Sequence, residues 1–459
     1  MVAETTIFYK NIIICVEAFG QGLTARQKFT IRIQFFIQIS LTMLESIFRA
    51  SIIIVVVFVS CNGSTSEKSE DLDDSKLSDN FKMGLFGYDH QFLSKFDSII
   101  LLKSRNGEAQ VIVSSKYQGK VFTSTAEGNN GRSFGWINYK AFTNSVDTHM
   151  NAYGGENRLW LGPEGGPFSL YFPEGADMSF ENWKVPAPID TEPWSINAVD
   201  SFSVHLQKNG TLKNYAGTTL QFAINRDIRI LDLMEMEKLI GGEIARDVHS
   251  VGYSTHNTIT NAGKNDWNEK SGTPCIWILD MFPPTAETTI IIPYKESSTS
   301  SKAITTNYFG DIPADRIKME HGTLFFKADG KHRGKLGIAP SAAKNFAGSF
   351  DAKSNVLTIT FFTIDSTGKY LNQEWTTKKL PFSGDAVNAY NDGPLANGNQ
   401  LGPFYEIESV APAAFLKAGS SSFSHEHTVL HFTGPRVGLN DISLKVFGIS
   451  LDQIEKALK

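Results

Sequence analysis

From about residue 81 onwards, short apolar runs alternate with glycine, asparagine and proline turns. Runs at strand period include Val111–Val113, Gly119–Thr125, Phe168–Phe172, Phe202–Leu206, Thr218–Asn225 and Val251–Asn261. Cys275–Met281, Thr288–Pro293, Thr323–Lys327 and Val356–Ile364 continue the series. Regularly spaced short strands of this kind predict an all-β sandwich or barrel. One helix is expected over Leu231–Ile240, stopped by Gly241 and Gly242, with its Met and Leu side chains in the core. No repeat and no Pro-rich hinge divides the stretch, so residues 81–459 are expected to form a single β domain with few short helices.

The pattern is most informative near the C-terminal end. Phe404–Val410 reads as a strand with Phe404, Glu406, Glu408 and Val410 on one face. Two carboxylates on a face that also carries apolar groups are costly to bury, so they are expected to be paired or used. Phe423–Phe432 reads as the returning strand. It carries His425, His427 and His431 on one face, with Glu426, Thr428, Leu430 and Phe432 opposite. His425 and His427 are close enough to share a divalent ion. A polar face lining the cleft or solvent is the preferred reading, so no metal site is expected.

The first 80 residues follow a different pattern. Met43 opens a short basic region, an apolar run over Ile52–Val59, and then Ser60-Cys61. The run has signal-peptide length and is too short to span a bilayer as a helix. Phe58-Val-Ser-Cys61 resembles a bacterial lipobox, with Phe58 where Leu is usual. The resemblance implies cleavage before Cys61 and acylation of Cys61, with residues 43–60 as the signal peptide. Residues 1–42 then read as an upstream mis-start. Residues 61–80 are polar and acidic, as in Ser64-Thr-Ser-Glu-Lys-Ser-Glu-Asp-Leu-Asp-Asp74, and read as a flexible tether. The acidic stretch resembles the surface-export signal of some Gram-negative lipoproteins, and reads equally as a solvated linker. The expectation is a cell-envelope protein, lipid-anchored to the outer membrane.

Composition narrows the partners. A formal net charge of −5 gives no basic field for nucleic acid. The 33 Phe, 13 Tyr and 7 Trp, with 38 Gly, favour β-structure over a helical bundle. Cys15, Cys61 and Cys275 are the cysteines, so a chain cut before an acylated Cys61 has no pair left for a disulfide. No phosphate loop, nucleotide fingerprint or Cys-based metal site is present, so no cofactor is expected.

Candidate chemistry clusters in a few places. Glu406 or Glu408 could serve as general base toward an anomeric hydroxyl, and otherwise reads as a solvated edge glutamate. Tyr153–Gly166 mixes glycine with Asn157, Arg158, Trp160 and Glu164, which suits a loop and strand edge approaching a ligand. Arg158 could hold a sugar hydroxyl or a uronate carboxylate through its planar fork, or form a salt bridge to Glu156 or Glu164. Trp160 is a candidate for stacking on a pyranose. Asn388, Asn391 and Asp392 read as a tight turn and as candidate sugar contacts.

Three stretches together resemble the galactose-mutarotase-like β-supersandwich, the fold of aldose 1-epimerases. They are Gly155-Glu-Asn157-Arg158-Leu, Thr255-His256-Asn-Thr-Ile-Thr-Asn261-Ala-Gly263, and the Glu406/Glu408 strand with Leu416-Lys-Ala-Gly419. Ser133–Asn138, Tyr390–Pro394 and Leu401–Glu406 are similar to an uncharacterised family of secreted bacterial lipoproteins in that superfamily. The resemblance implies His256 as the catalytic histidine, a catalytic glutamate on the Glu406/Glu408 strand, and a carbohydrate ligand. An upstream second histidine has no matching context here. Two functions stay open, a carbohydrate-processing enzyme and a non-catalytic glycan-binding protein.

Overall fold

The computed structural model describes residues 81–296, 303–395, 397–419 and 421–459. The segments read as signal peptide, lipobox and tether, with Cys61, lie outside them. In chain order the first strands are β1 (Ile100–Lys103), β2 (Gln110–Ser114), β3 (Lys120–Thr125), β4 (Asn157–Gly162) and β5 (Ser195–Val199). Next come β6 (Ser203–Lys213), β7 (Thr219–Ile230), β8 (His249–Asn261), β9 (Cys275–Phe282) and β10 (Thr288–Pro293). β11 (Ile304–Thr305), β12 (Ile317–Glu320), β13 (Thr323–Lys327), β14 (Gly334–Ile338) and β15 (Phe346–Asp351) follow. The last are β16 (Val356–Phe362), β17 (Val387–Asn391), β18 (Tyr405–Val410) and β19 (Ser422–Thr433). The helices are α1 (Phe86–Leu93), α2 (Leu233–Ile240), α3 (Arg436–Phe447) and α4 (Leu451–Lys456).

These strands make two antiparallel sheets. The first runs β1-β2-β3-β4-β9-β18-β17-β14-β11 and the second β12-β13-β10-β15-β16-β19-β8-β7-β6-β5. The all-β expectation with few short helices therefore holds. Apolar side chains of both sheets meet between them: Leu159, Ile278, Val387 and Ile407 from the first, Ile224, Ile228, Ile259 and Val429 from the second.

The outer faces differ. Under β16 and β19 the second sheet buries Leu357, Ile359, Leu430 and Phe432 against Leu439, Ile442 and Leu451 of α3 and α4. Around β6–β8 its outer face is open, and β5 is exposed along its length. α1 covers one end of the first sheet's outer face, packing Phe86 and Phe92 on Ile112 and Phe122. α2 starts with a reciprocal cap between Asp232 and Glu235 and stops at Gly241, which takes φ +75°. Of its side chains only Met236 and Ile240 are buried, while Leu233, Met234 and Leu239 are exposed. Its Met and Leu positions are thus core only in part.

Three local expectations need correction. Phe168–Phe172 is a chain of turns, because Gly165, Gly166 and Pro167 break the extension and Leu170 N donates back to the Pro163 carbonyl at 3.0 Å. Asn157–Gly162 is a central strand between β3 and β9, not an edge. Asn388 and Asn391 lie inside β17, paired to Glu408 and Tyr405, rather than in a turn.

Candidate functional site on the outer face of the first sheet

Register decides which side chains meet. In β18, Tyr405, Ile407 and Ser409 point toward the second sheet, since the Tyr405 hydroxyl meets Ser349 of β15 and Ser409 meets His425 and His427 of β19. Glu406 and Glu408 therefore point outward. Cross-strand pairing puts Arg158 beside Leu279 and Leu279 beside Glu408, and Trp160 beside Trp277. Glu406 pairs with Tyr390, and Tyr390 with Lys335. Lys120 precedes Val121, which pairs with Asn157, so Lys120 falls beside Arg158 on the same face.

Two ion pairs organise this face. Arg158 donates to Glu406, and both side chains are more than nine-tenths buried. Lys335 donates to both oxygens of Glu408 at 2.9 Å, and the Trp277 indole N–H adds a third bond at 2.9 Å. Arg158 and Lys335 also stand over the Trp160 and Trp277 rings, at 5.2 and 4.8 Å. The two tryptophans meet edge to face at 5.7 Å. The predicted salt-bridge partners of Arg158, Glu156 and Glu164, are replaced by Glu406. Glu156 points between the sheets, and Glu164 lies near Lys335 and Glu408 instead.

Residues 163–194 roof the face without regular strands. Tyr171 packs on Trp160 and its hydroxyl donates to the Leu161 carbonyl at 3.0 Å. Trp183 stacks on Trp375 at 5.8 Å. Burial pushes the Glu164 carboxyl up, against the pull of Lys335, and pushes Asp190 up against its bonds from Asn151. Glu406 is pushed up to about 7, first by burial and then by Glu408, with Arg158 and Lys335 opposing. A carboxyl poised near neutrality can exchange a proton with a sugar hydroxyl. Sequence reasoning missed Lys335 and Lys120. The signal was a lysine in a strand otherwise buried on both faces, present in Gly334–Ile338 and Lys120–Thr125.

Asn157 faces the other way, into a polar layer between the sheets. It donates to Asp280 at 2.6 Å and accepts from Arg226. A hydrogen-bonded row crosses from the second sheet to the first: Thr363 to His425 Nδ1 at 2.9 Å, His425 Nε2 to Ser409 at 2.8 Å, Ser409 to His427 Nδ1 at 2.8 Å, and His427 Nε2 to Asp280 at 2.6 Å. One proton order satisfies every link with neutral rings: Thr363 donates to His425, His425 to Ser409, Ser409 to His427, and His427 to Asp280. His431 bonds Thr358 at 2.9 Å and Glu156 at 3.0 Å. The three histidines thus line neither the outer cleft nor solvent, and burial lowers His425 to about 3. Among the described residues no group of three or more His, Cys, Asp or Glu is placed to hold a metal ion.

His256 lies apart from all of these. It is exposed on the outer face of the second sheet, beside Glu426 at 3.3 Å, in a groove with His205, Asp227 and Arg229. It does not converge with Glu406 and Arg158. Asn388 donates to the Leu336 carbonyl at 3.2 Å on the carboxylate face. Asn391 ties down the neighbouring loop through Gly330 N at 2.9 Å and the His332 carbonyl at 2.8 Å. Asp392 accepts from the Tyr390 hydroxyl at 2.9 Å and from Gly402 N at 3.0 Å.

Over residues 84–458 the chain belongs to a family of unknown function, DUF6786. No curated protein matches it. Similar solved structures include the Slr1438 protein of Synechocystis sp. PCC 6803, 12% identical, with a TM-score of 0.45 over 73% of this chain and 96% of that one. A provisional aldose 1-epimerase from Escherichia coli K12 is 11% identical, with a TM-score of 0.45 over 73% and 98%. A galactose mutarotase-like protein from Lactobacillus casei ATCC 334 is 11% identical, with a TM-score of 0.41 over 73% and 99%. Mutarotase-like proteins are thus among the solved structures to which the chain is similar, as the sequence resemblance expected.

Proposed function

We propose that the outer face of the first sheet binds a carbohydrate and that Glu406 exchanges a proton with it. The observation that carries this reading is the convergence of Glu406, Arg158, Glu408 and Lys335 beside Trp160 and Trp277. Indole faces suit pyranose rings, and fixed ion pairs hold donors and acceptors for hydroxyls. A glycan array followed by an anomerisation assay on the bound aldoses tests it, with Glu406→Gln as the variant. Turnover should fall about a hundredfold or more on loss of the general base. Unchanged binding and turnover would place the site elsewhere.

The second reading is glycan binding without chemistry. It is favoured by the placement of His256 on the other sheet, which leaves Glu406 without the histidine that the resemblance implied. In that case Glu406→Gln should weaken only affinity, by about 1.5–3 kcal/mol for a charge-assisted bond. We further propose, from the sequence around Cys61, that the protein is anchored to the outer membrane through an acylated Cys61. Cys61→Ser should abolish fatty-acid labelling and release the protein from the membrane fraction. A variant that stays acylated and membrane-bound overturns the anchor.

A further inference from the structure

Lys120, Arg158 and Lys335 stand on the outer face of the first sheet, all more than nine-tenths buried. Arg158 and Lys335 each meet a carboxylate; Lys120 does not. Its Nζ donates to the Gly154 carbonyl at 3.1 Å and stands 5.5 and 5.7 Å from the centres of the Phe122 and Tyr153 rings. An ammonium has three N–H donors, and one carbonyl fills only one of them. The carboxylate whose charge favours the ammonium, Asp190, already accepts from Asn151 N at 3.1 Å and Asn151 Nδ2 at 2.9 Å. Beside Lys120, the Nε of Arg158 has no partner. The backbone is shaped to both cations. At Gly155, with φ +124°, a Cβ would stand 2.9 Å from Lys120 Cδ and 3.5 Å from Arg158 Cγ.

A buried cation without a counter-charge is costly, and an anionic ligand relieves the cost. Burial, with repulsion from Arg158, lowers the Lys120 amine to about 7 against the pull of Asp190. We infer that the ligand of this face is an acidic sugar whose carboxylate is held by Lys120 and Arg158. The inference rests on the carbohydrate reading and narrows it to one chemical class.

Calorimetric titration of the full chain with glucuronate against glucose, and with galacturonate against galactose, tests it. At least one uronate should bind tenfold or more tighter than its neutral counterpart. Lys120→Met should remove that preference, and Lys120→Arg should retain it. Equal affinity within both pairs, or a preference that survives Lys120→Met, overturns the acidic-sugar inference and leaves the carbohydrate reading standing. If none of the four sugars binds, the acidic-sugar inference falls and the glycan array alone decides the carbohydrate reading. The comparison on the unmodified protein stands even where the Met variant does not fold.

Discussion

Glu406 and Glu408 sit two residues apart on one strand and meet different cations, and that difference is measurable. Glu408 is fully buried with Lys335 and Trp277 as its partners. Removing one member of such a pair leaves the other as an uncompensated charge. Glu408→Gln should destabilise the fold by about 3–5 kcal/mol in urea denaturation. A Glu408→Leu/Lys335→Met double variant should recover most of that. A loss below about 1 kcal/mol for the single change would mean the pair is solvated. Glu406 carries a pH signature instead. The folded state keeps its proton up to about 7, against 4.5 ordinarily, so between those values it binds more protons than the unfolded chain. Stability from this group is therefore present at low pH and lost as pH rises through that window. Glu406→Gln should flatten the decline, and an unchanged slope in pH-resolved denaturation would reject the shifted carboxyl. The sequence revealed the shared face because side chains alternate along a strand. It hid Lys335 because β14 reaches β18 only through β17, which leaves Lys335 and Glu408 73 positions apart, and it hid Lys120 because β3 comes beside β4 only in the fold. His256 was singled out through the resemblance of Thr255–Gly263, and a likeness along β8 does not say which sheet face meets solvent.

At the scale of elements, strands were readable where β-branched and aromatic runs stood between turns. Thr288–Pro293 and Thr323–Lys327 are strands with the boundaries expected. β14 and β17 escaped because Gly334–Ile338 and Val387–Asn391 mix Gly, Lys and Asn into strands held by neighbours on both sides. α3 escaped because Gly438, Asn440 and Asp441, all weak helix formers, stand in its first half, and α4 because Leu451–Lys456 is only six residues long. α2 was readable through its glycine stop, and the structure adds a cap at its start. Asp232 accepts from Glu235 N at 2.9 Å, and Glu235 returns a bond to Asp232 N at 2.9 Å. Asp232→Ala should cost about 1 kcal/mol in thermal or urea unfolding. Ligand affinity should not move, since α2 packs its Met236 and Ile240 with side chains of the second sheet. A change in affinity at unchanged stability would contradict that separation.

The whole molecule gives the first sheet two polar faces with different work to do. Outward, Glu406 and Glu408 stand with Arg158 and Lys335. Inward, Asp280 and Asn157 join the row from Thr363 through His425, Ser409 and His427. Alternation makes this possible within single strands: Ser409 follows Glu408, and Asn157 precedes Arg158. Beyond the exposed Thr363, the inward row ties the sheets together at buried positions, where an unsatisfied group is expensive. Asp280→Asn keeps the shape but loses the charge, and its amide presents donors to a ring nitrogen that donates in the neutral row. Stability should fall by about 1.5–3 kcal/mol, the value of a hydrogen bond to a charged group. The outward face should still bind its ligand, because no link of the inward row touches Glu406 or Arg158. Denaturation and ligand titration on the same Asp280→Asn sample separate the two faces. Lost binding at near-native stability would move the site between the sheets, onto His427 and Asp280, and remove the outward assignment.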